Sequence, residues 1–228
     1  MDKRFLIIAR VGDQSTHANW LLSEHKKEED APQFDLFLSY AGCETHKYKN
    51  SCTFYDQQKG EKWPVLSNLV EQYWELISTY EAIWFADDAL ITNTHSINRL
   101  FNLFSGHQLA LAQPALSLNS FYDDPIFLQQ PTAVLRFVNG IESLAPLMTN
   151  HTLALLHPTF NNPVFNNPTF NNSCTHKMAT QWPALITNPN HSRIAIIDAA
   201  PVTRCIPLND TLKSVNKKKI PYKIYSSL

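Results

Sequence analysis

Four short apolar runs punctuate the chain, at residues 5–9, 34–39, 82–85 and 193–197, with a weaker fifth at 109–112. Each is too short for an independent helix, and most are bounded by polar or turn residues, so the pattern predicts buried strands. Between them the period changes. Leu66, Leu69, Val70, Tyr73, Trp74 and Ile77 fall at i, i+3, i+4, i+7, i+8 and i+11. That is one apolar helix face, with Pro64 tolerated in the first turn and the Tyr/Trp stripe expected in the core. Ile97, Leu100, Phe101 and Phe104 repeat the pattern, opened by Asn93 or Thr94 as a cap and closed near Gly106. A shorter helix is expected from Thr149 or Asn150 through Leu153 and Leu156. Strands alternating with helices predict an α/β domain with a largely parallel sheet.

Two segments break this rhythm. Residues 158–173 read PTFNNPVFNNPTFNNS, a unit of period five marked by Phe160, Phe165 and Phe170. The unit is too short for a solenoid, and Asn and Pro are turn formers, so it predicts an irregular exposed loop grown by duplication. Its phenylalanines could also form a lid or a partner surface. The tail 209–228 carries Lys213, Lys217, Lys218, Lys219 and Lys223 against one acid, Asp210. It is expected to be solvated and separate from a domain at 1–208, with peripheral contact to an anionic membrane surface as the alternative.

Composition narrows the classes. In 228 residues, 44% are apolar and 17% charged, ordinary for a folded domain and too apolar for a disordered one. A net charge of −1 supplies no field for nucleic acid. Only 5 glycines are present, in no phosphate-loop spacing, which removes the Rossmann and P-loop readings. The opening MDKRFLIIAR has too short an apolar run for a leader or a span, so a buried first strand in a cytoplasmic protein is expected. Cys43, Cys52, Cys174 and Cys205 form no CxxC pair, so free thiols are expected.

The chemistry gathers at strand ends. In YEAIWFADDAL an apolar strand runs into Asp87 and Asp88, at the end where open α/β sheets bind ligands. Such a pair suits a hard cation, Mg²⁺ or Mn²⁺, shared with phosphate oxygens, or else it merely caps a turn. Arg10 and Asp13, around Gly12, could grip a nucleotide or a sugar, or form a polar turn. Lys62 could meet a diphosphate and Trp63 stack on a ring; otherwise Lys62 is solvated and Trp63 packs at the helix start. Glu142 could act as general base for an acceptor hydroxyl, or simply be paired. No GxSxG or HExxH motif is present.

In their order, the stretches 10–13, 34–40, 59–66, 80–90, 97–116, 135–146 and 193–201 resemble the domain-of-unknown-function family 707, over roughly residues 3–210. YEAIWFADDAL followed by INRLF, and LALAQPAL, are the most specific segments. The resemblance implies a single-domain α/β fold of the glycosyltransferase A type, with a mostly parallel central sheet flanked by helices. It further implies metal-assisted transfer of a sugar from a nucleoside-diphosphate donor to a carbohydrate acceptor. Asp87 and Asp88 would then hold the Mn²⁺ or Mg²⁺, and Arg10, Asp13 and Asp87 would meet the nucleotide. Lys62 and Trp63 would meet its diphosphate and ring, and Glu142 would orient the acceptor. The chain departs from the family pattern where Ala89 replaces a third acid and where residues 174–182 hold none. Thr203-Arg204-Cys205 also stand where a histidine commonly follows Ala-Pro-Val. These departures imply an alternative, a protein that binds a sugar nucleotide or a partner without turnover.

Overall fold

Strand β1 (Phe5–Val11) is buried along its whole length, as a continuous apolar run covered on both faces should be. It lies between β2 (Phe34–Tyr40) and β4 (Ala82–Asp87), parallel to both. β3 (Phe54–Gln57) extends this parallel block beyond β2. The computed structural model describes residues 3–21, 31–122, 124–161, 181–186, 193–205 and the backbone of 224–227. The remaining strands are β5 (Leu90–Ile91), β6 (Leu111–Leu116), β7 (Leu135–Val138), β8 (Leu147–Thr149), β9 (Ile194–Arg204) and β10 (Ile224–Ser227). The spatial order is β10-β7-β9-β6-β8-β4-β1-β2-β3, with β5 against β9.

The expectation of a mostly parallel sheet needs correction, because the sheet is mixed. β8 is wedged antiparallel between β4 and β6, and β5, β7 and β10 also pair antiparallel with their neighbours. All four are strands of two to four residues, too short to show an apolar period. Ile224–Ser227, assigned by sequence to the tail, pairs with β7, while Lys213, Lys217, Lys218, Lys219 and Lys223 lie outside the described residues.

Helices α1 (Lys62–Gln72), α2 (Trp74–Ile77), α3 (Thr94–Gly106) and α4 (Asn150–Leu156) cover the sheet. Asn93 caps α3 by accepting the Ser96 N–H at 2.9 Å, and Thr149 caps α4 by accepting the Thr152 N–H at 3.1 Å. Phe101 of α3 stacks on Phe5 at 4.5 Å. The single long helix expected through Ile77 is interrupted at Tyr73, which turns Trp74 outward to 36% exposure. Tyr73 itself packs edge-on against Phe37. Phe160, the first phenylalanine of the repeat, is fully buried rather than exposed. It meets Trp63, Phe85 and Trp182, whose indole N–H donates to Thr159 Oγ1. Phe165 and Phe170 lie outside the described residues.

β9 changes partners along its length. Its first half pairs with β6 and β7, and its end reaches β5. The β6 register shifts between Pro114 and Leu116, where a proline cannot donate to the ladder. Asp198 lies at this crossing with no exposure, and both its oxygens take Arg136, at 2.8 and 3.0 Å. Arg136 also donates to the carbonyls of Ile126 and Leu128, and Asp198 accepts the Gln130 N–H. Cys43, Cys52 and Cys205 are free thiols, and no helix among the described residues is long and apolar enough to cross a membrane.

Removing one partner of a buried, fully bonded pair strands the other charge. Asp198→Asn is expected to cost about 3–5 kcal/mol in denaturant unfolding. A loss below about 1 kcal/mol would show that the pair does not support the fold.

Candidate functional site

The parallel ladder of β1 and β4 places Arg10 opposite Asp87 at the C-terminal edge of the sheet. Past that point the two chains stay together through the Gly12 N–H, which donates to Asp88 Oδ2 at 2.8 Å. The Thr16 N–H and hydroxyl both donate to the Asp88 carbonyl at 2.9 Å. The turn that follows β4 thus resolves the alternation of a strand. Asp87 and Asp88 lie close enough there for each carboxylate to shift the other's protonation.

Lys62, in the first turn of α1, reaches Asp87 Oδ2 at 3.6 Å and donates to the Leu144 carbonyl at 3.4 Å. Burial alone would raise Asp87. The charge of Lys62, the hydrogen bond with Asp88, the Ala89 N–H and the charge of Arg204 outweigh it and hold Asp87 below its ordinary value. Burial pushes Asp88 up to about 6; the Gly12 N–H works against this, and the charge of Asp87 adds to it. The two acids are therefore unequal, one held ionised and the other drawn towards its protonated form. Their oxygens are donors of the kind a hard cation takes.

The other sequence candidates take different places. Arg10 is 9% exposed and donates to Ser39 Oγ and to the Gly60 carbonyl, both at 3.0 Å, tying β1 to β2 and to the approach to α1. Burial lowers its pKa and Asp56 counteracts this. Asp13 is exposed, accepts the Tyr40 hydroxyl, and receives the Tyr48 hydroxyl on its carbonyl. Burial and the bond to Asp13 push Tyr40 up to about 12. A Cβ at Gly42 would overlap both Asp13 and Tyr40, so this turn needs a glycine. Trp63 is 6% exposed and spends its ring on Phe85, Phe160 and Trp182, below the site. Glu142 is 8% exposed, donates its N–H to Gln113 Oε1 and pairs with Arg204 at 3.3 Å.

Arg204 is the site residue that the sequence reading missed. It was visible only as part of the Thr203-Arg204-Cys205 departure, because its partner Glu142 is 62 positions away. His17 was missed as well. It is fully buried in the loop over Asp88, between Ser15 Oγ at 2.8 Å and Ser51 Oγ at 3.3 Å, with Tyr48 edge-on at 4.5 Å.

The arrangement resembles solved structures. S. aureus TarS superposes with a TM-score of 0.54 at 10% identity, covering 89% of this chain and 37% of TarS. The 1–349 portion of S. aureus TarS in complex with UDP-GlcNAc superposes with a TM-score of 0.52 at 12% identity, covering 93% and 62%. The chain thus spans less than two thirds of either protein. At such identities the likeness shows the fold alone, a mixed-sheet α/β fold shared with TarS. No family model matches the chain and no curated protein does, so family 707 stays a resemblance.

Burial lowers the pKa of His17, so the folded protein takes up its proton less readily than the unfolded chain. Above the ordinary histidine value of about 6.5 both folded and unfolded states hold it neutral. Below that value the unfolded chain binds a proton that the folded chain refuses, so stability is lost as pH falls. Unfolding of wild type against His17→Gln is expected to show a stability difference that shrinks from pH 7.5 to 5. The comparison cancels the opposite contribution of Asp88, and a pH-independent difference would refute the assignment.

Proposed function

We propose that this protein binds a nucleoside-diphosphate sugar at the C-terminal edge of its sheet and transfers the sugar to a carbohydrate acceptor. The observation that carries the reading is the unequal pair Asp87–Asp88, brought together at the end of β4 with Lys62 beside it. A fold shared with a protein solved with UDP-GlcNAc supports it.

The donor set suits a divalent cation. Two half-buried carboxylates that repel one another, with oxygen as the only donor, are relieved when a hard cation lies between them. When bound through Asp87 and Asp88, Mn²⁺ or Mg²⁺ would supply charge for the departing diphosphate. The chain's own residues do the rest. Lys62 faces the phosphates, Arg10 and Asp13 border the nucleotide, and Glu142 orients the acceptor hydroxyl. Trp63 acts from beneath by fixing the start of α1.

A second reading, binding without turnover, is favoured by one specific observation: Glu142 is buried and already paired with Arg204. The two readings part on whether nucleoside diphosphate is released when donor and acceptors are supplied.

Ligand at about 100 times its dissociation constant stabilises the folded state by about 2.7 kcal/mol. Mn²⁺ with UDP-GlcNAc, or with another member of a nucleoside-diphosphate-sugar panel, is expected to raise the melting temperature by several degrees. Asp88→Ala should abolish the metal-dependent part of the shift. No shift across the whole panel would sink both readings.

A further inference from the structure

β9 ends on Arg204, and the backbone there is pinned from two sides. Arg204 lies opposite Leu90 in the β5 ladder, and the next N–H, of Cys205, donates to the Ala89 carbonyl at 3.0 Å. On the other side its own N–H donates to Ser120 Oγ at 3.1 Å, and its carbonyl accepts the Phe121 N–H at 3.2 Å. The hydroxyls of Ser117 and Thr203, 2.8 Å apart, brace the same crossing. The root of this side chain is therefore fixed relative to the turn that carries Asp87 and Asp88.

The head group is aimed by Glu142, which holds one guanidinium nitrogen at 3.3 Å. The positive charge of Arg204 is felt at Asp87, as is that of Lys62, which arrives from α1. Lys62 lies 3.6 Å from Asp87 Oδ2, and Arg204 is anchored beside Ala89, two residues further on, so two separate elements deliver cations to this turn. Lys62 and Arg204 are each about a quarter exposed, so both charges border solvent at the sheet edge. A guanidinium can serve a carboxylate and a phosphate at once, because its five N–H donors lie along separate edges of one plane.

We propose that Arg204 is a phosphate-binding residue of the donor site, its guanidinium aimed by Glu142 to meet the diphosphate together with Lys62. This rests on the nucleotide-sugar reading above and adds to it. Two protein cations, and not the carboxylate pair alone, then select for a diphosphate over a bare nucleoside. Glu142 acquires a positioning role towards Arg204 besides its place next to the acceptor.

Calorimetric titration of the full chain with UDP, UMP and uridine, with and without Mg²⁺, tests the assignment. Arg204→Gln is expected to weaken UDP binding about tenfold or more, the scale of a charge-assisted hydrogen bond, while uridine binding stays as in wild type. Arg204→Lys, which keeps the charge and loses the fork, should fall between the two and guards against a folding defect in the first variant. UDP bound by Arg204→Gln as tightly as by wild type would overturn the role of Arg204 and leave the nucleotide-sugar reading standing. Equal weakening towards UDP and uridine would also overturn it, by showing a merely structural effect. Failure of wild type to bind any nucleoside diphosphate would overturn the underlying reading together with this one.

Discussion

β1 and β4 lie side by side with both faces covered, and their parallel ladder runs without a break from Phe5 opposite Ala82 to Arg10 opposite Asp87. A slip of one residue would exchange the faces of every side chain in two strands that are buried almost throughout. The register is therefore held by packing along its whole length. What happens at the edge depends on it. Only in this register do Gly12 and Thr16 meet Asp88, and only then does the turn after β4 bring two carboxylates together.

The edge is a place of balanced charge more than an acidic pocket. Asp87, Asp88 and Glu142 face Lys62 and Arg204, and each side chain comes from a different stretch of the chain or a different side of a turn. The parallel block leads into Asp87 and Asp88, and the segment between β7 and β8 carries Glu142. The cations come from the first turn of α1 and from the last residue of β9. Arg10, opposite Asp87, joins β1 to β2 and to the Gly60 turn. The site is thus assembled by the sheet, and its field depends on contacts that hold α1 and β9 in place.

Much of this was legible in the sequence, and the exceptions have physical causes. The runs at 5–9 and 82–85 are continuous and buried on both faces, so they announced themselves. The helix starts at Asn93 and Thr149 were visible because a cap is a local event. β5, β7 and β8 were not, because two to four residues carry no period, and their antiparallel pairing is decided by distant partners. Trp74 was placed in the core by a periodicity that assumes an unbroken helix, and the break at Tyr73 rotates it out. Asp87 and Asp88 stood out by position at a strand end. Arg204 did not, since one basic residue acquires meaning only from Glu142 and Asp87, far away in sequence.

The contact between Phe160 and Trp182 has a bearing on how this chain can change over time. Their rings lie 5.8 Å apart, so the chain between positions 160 and 182, which contains the Phe-Asn-Asn-Pro repeat, begins and ends at nearly one point. The entropy of joining two such fixed ends grows only logarithmically with the length of chain between them, about 0.6 kcal/mol for each doubling. Whole five-residue units can therefore be gained or lost between these two anchors without moving either aromatic ring. Replication slippage in the repeat would change the length of chain between these anchors while leaving in place the floor of the site, where Trp63 rests on both rings and Phe85 on Phe160.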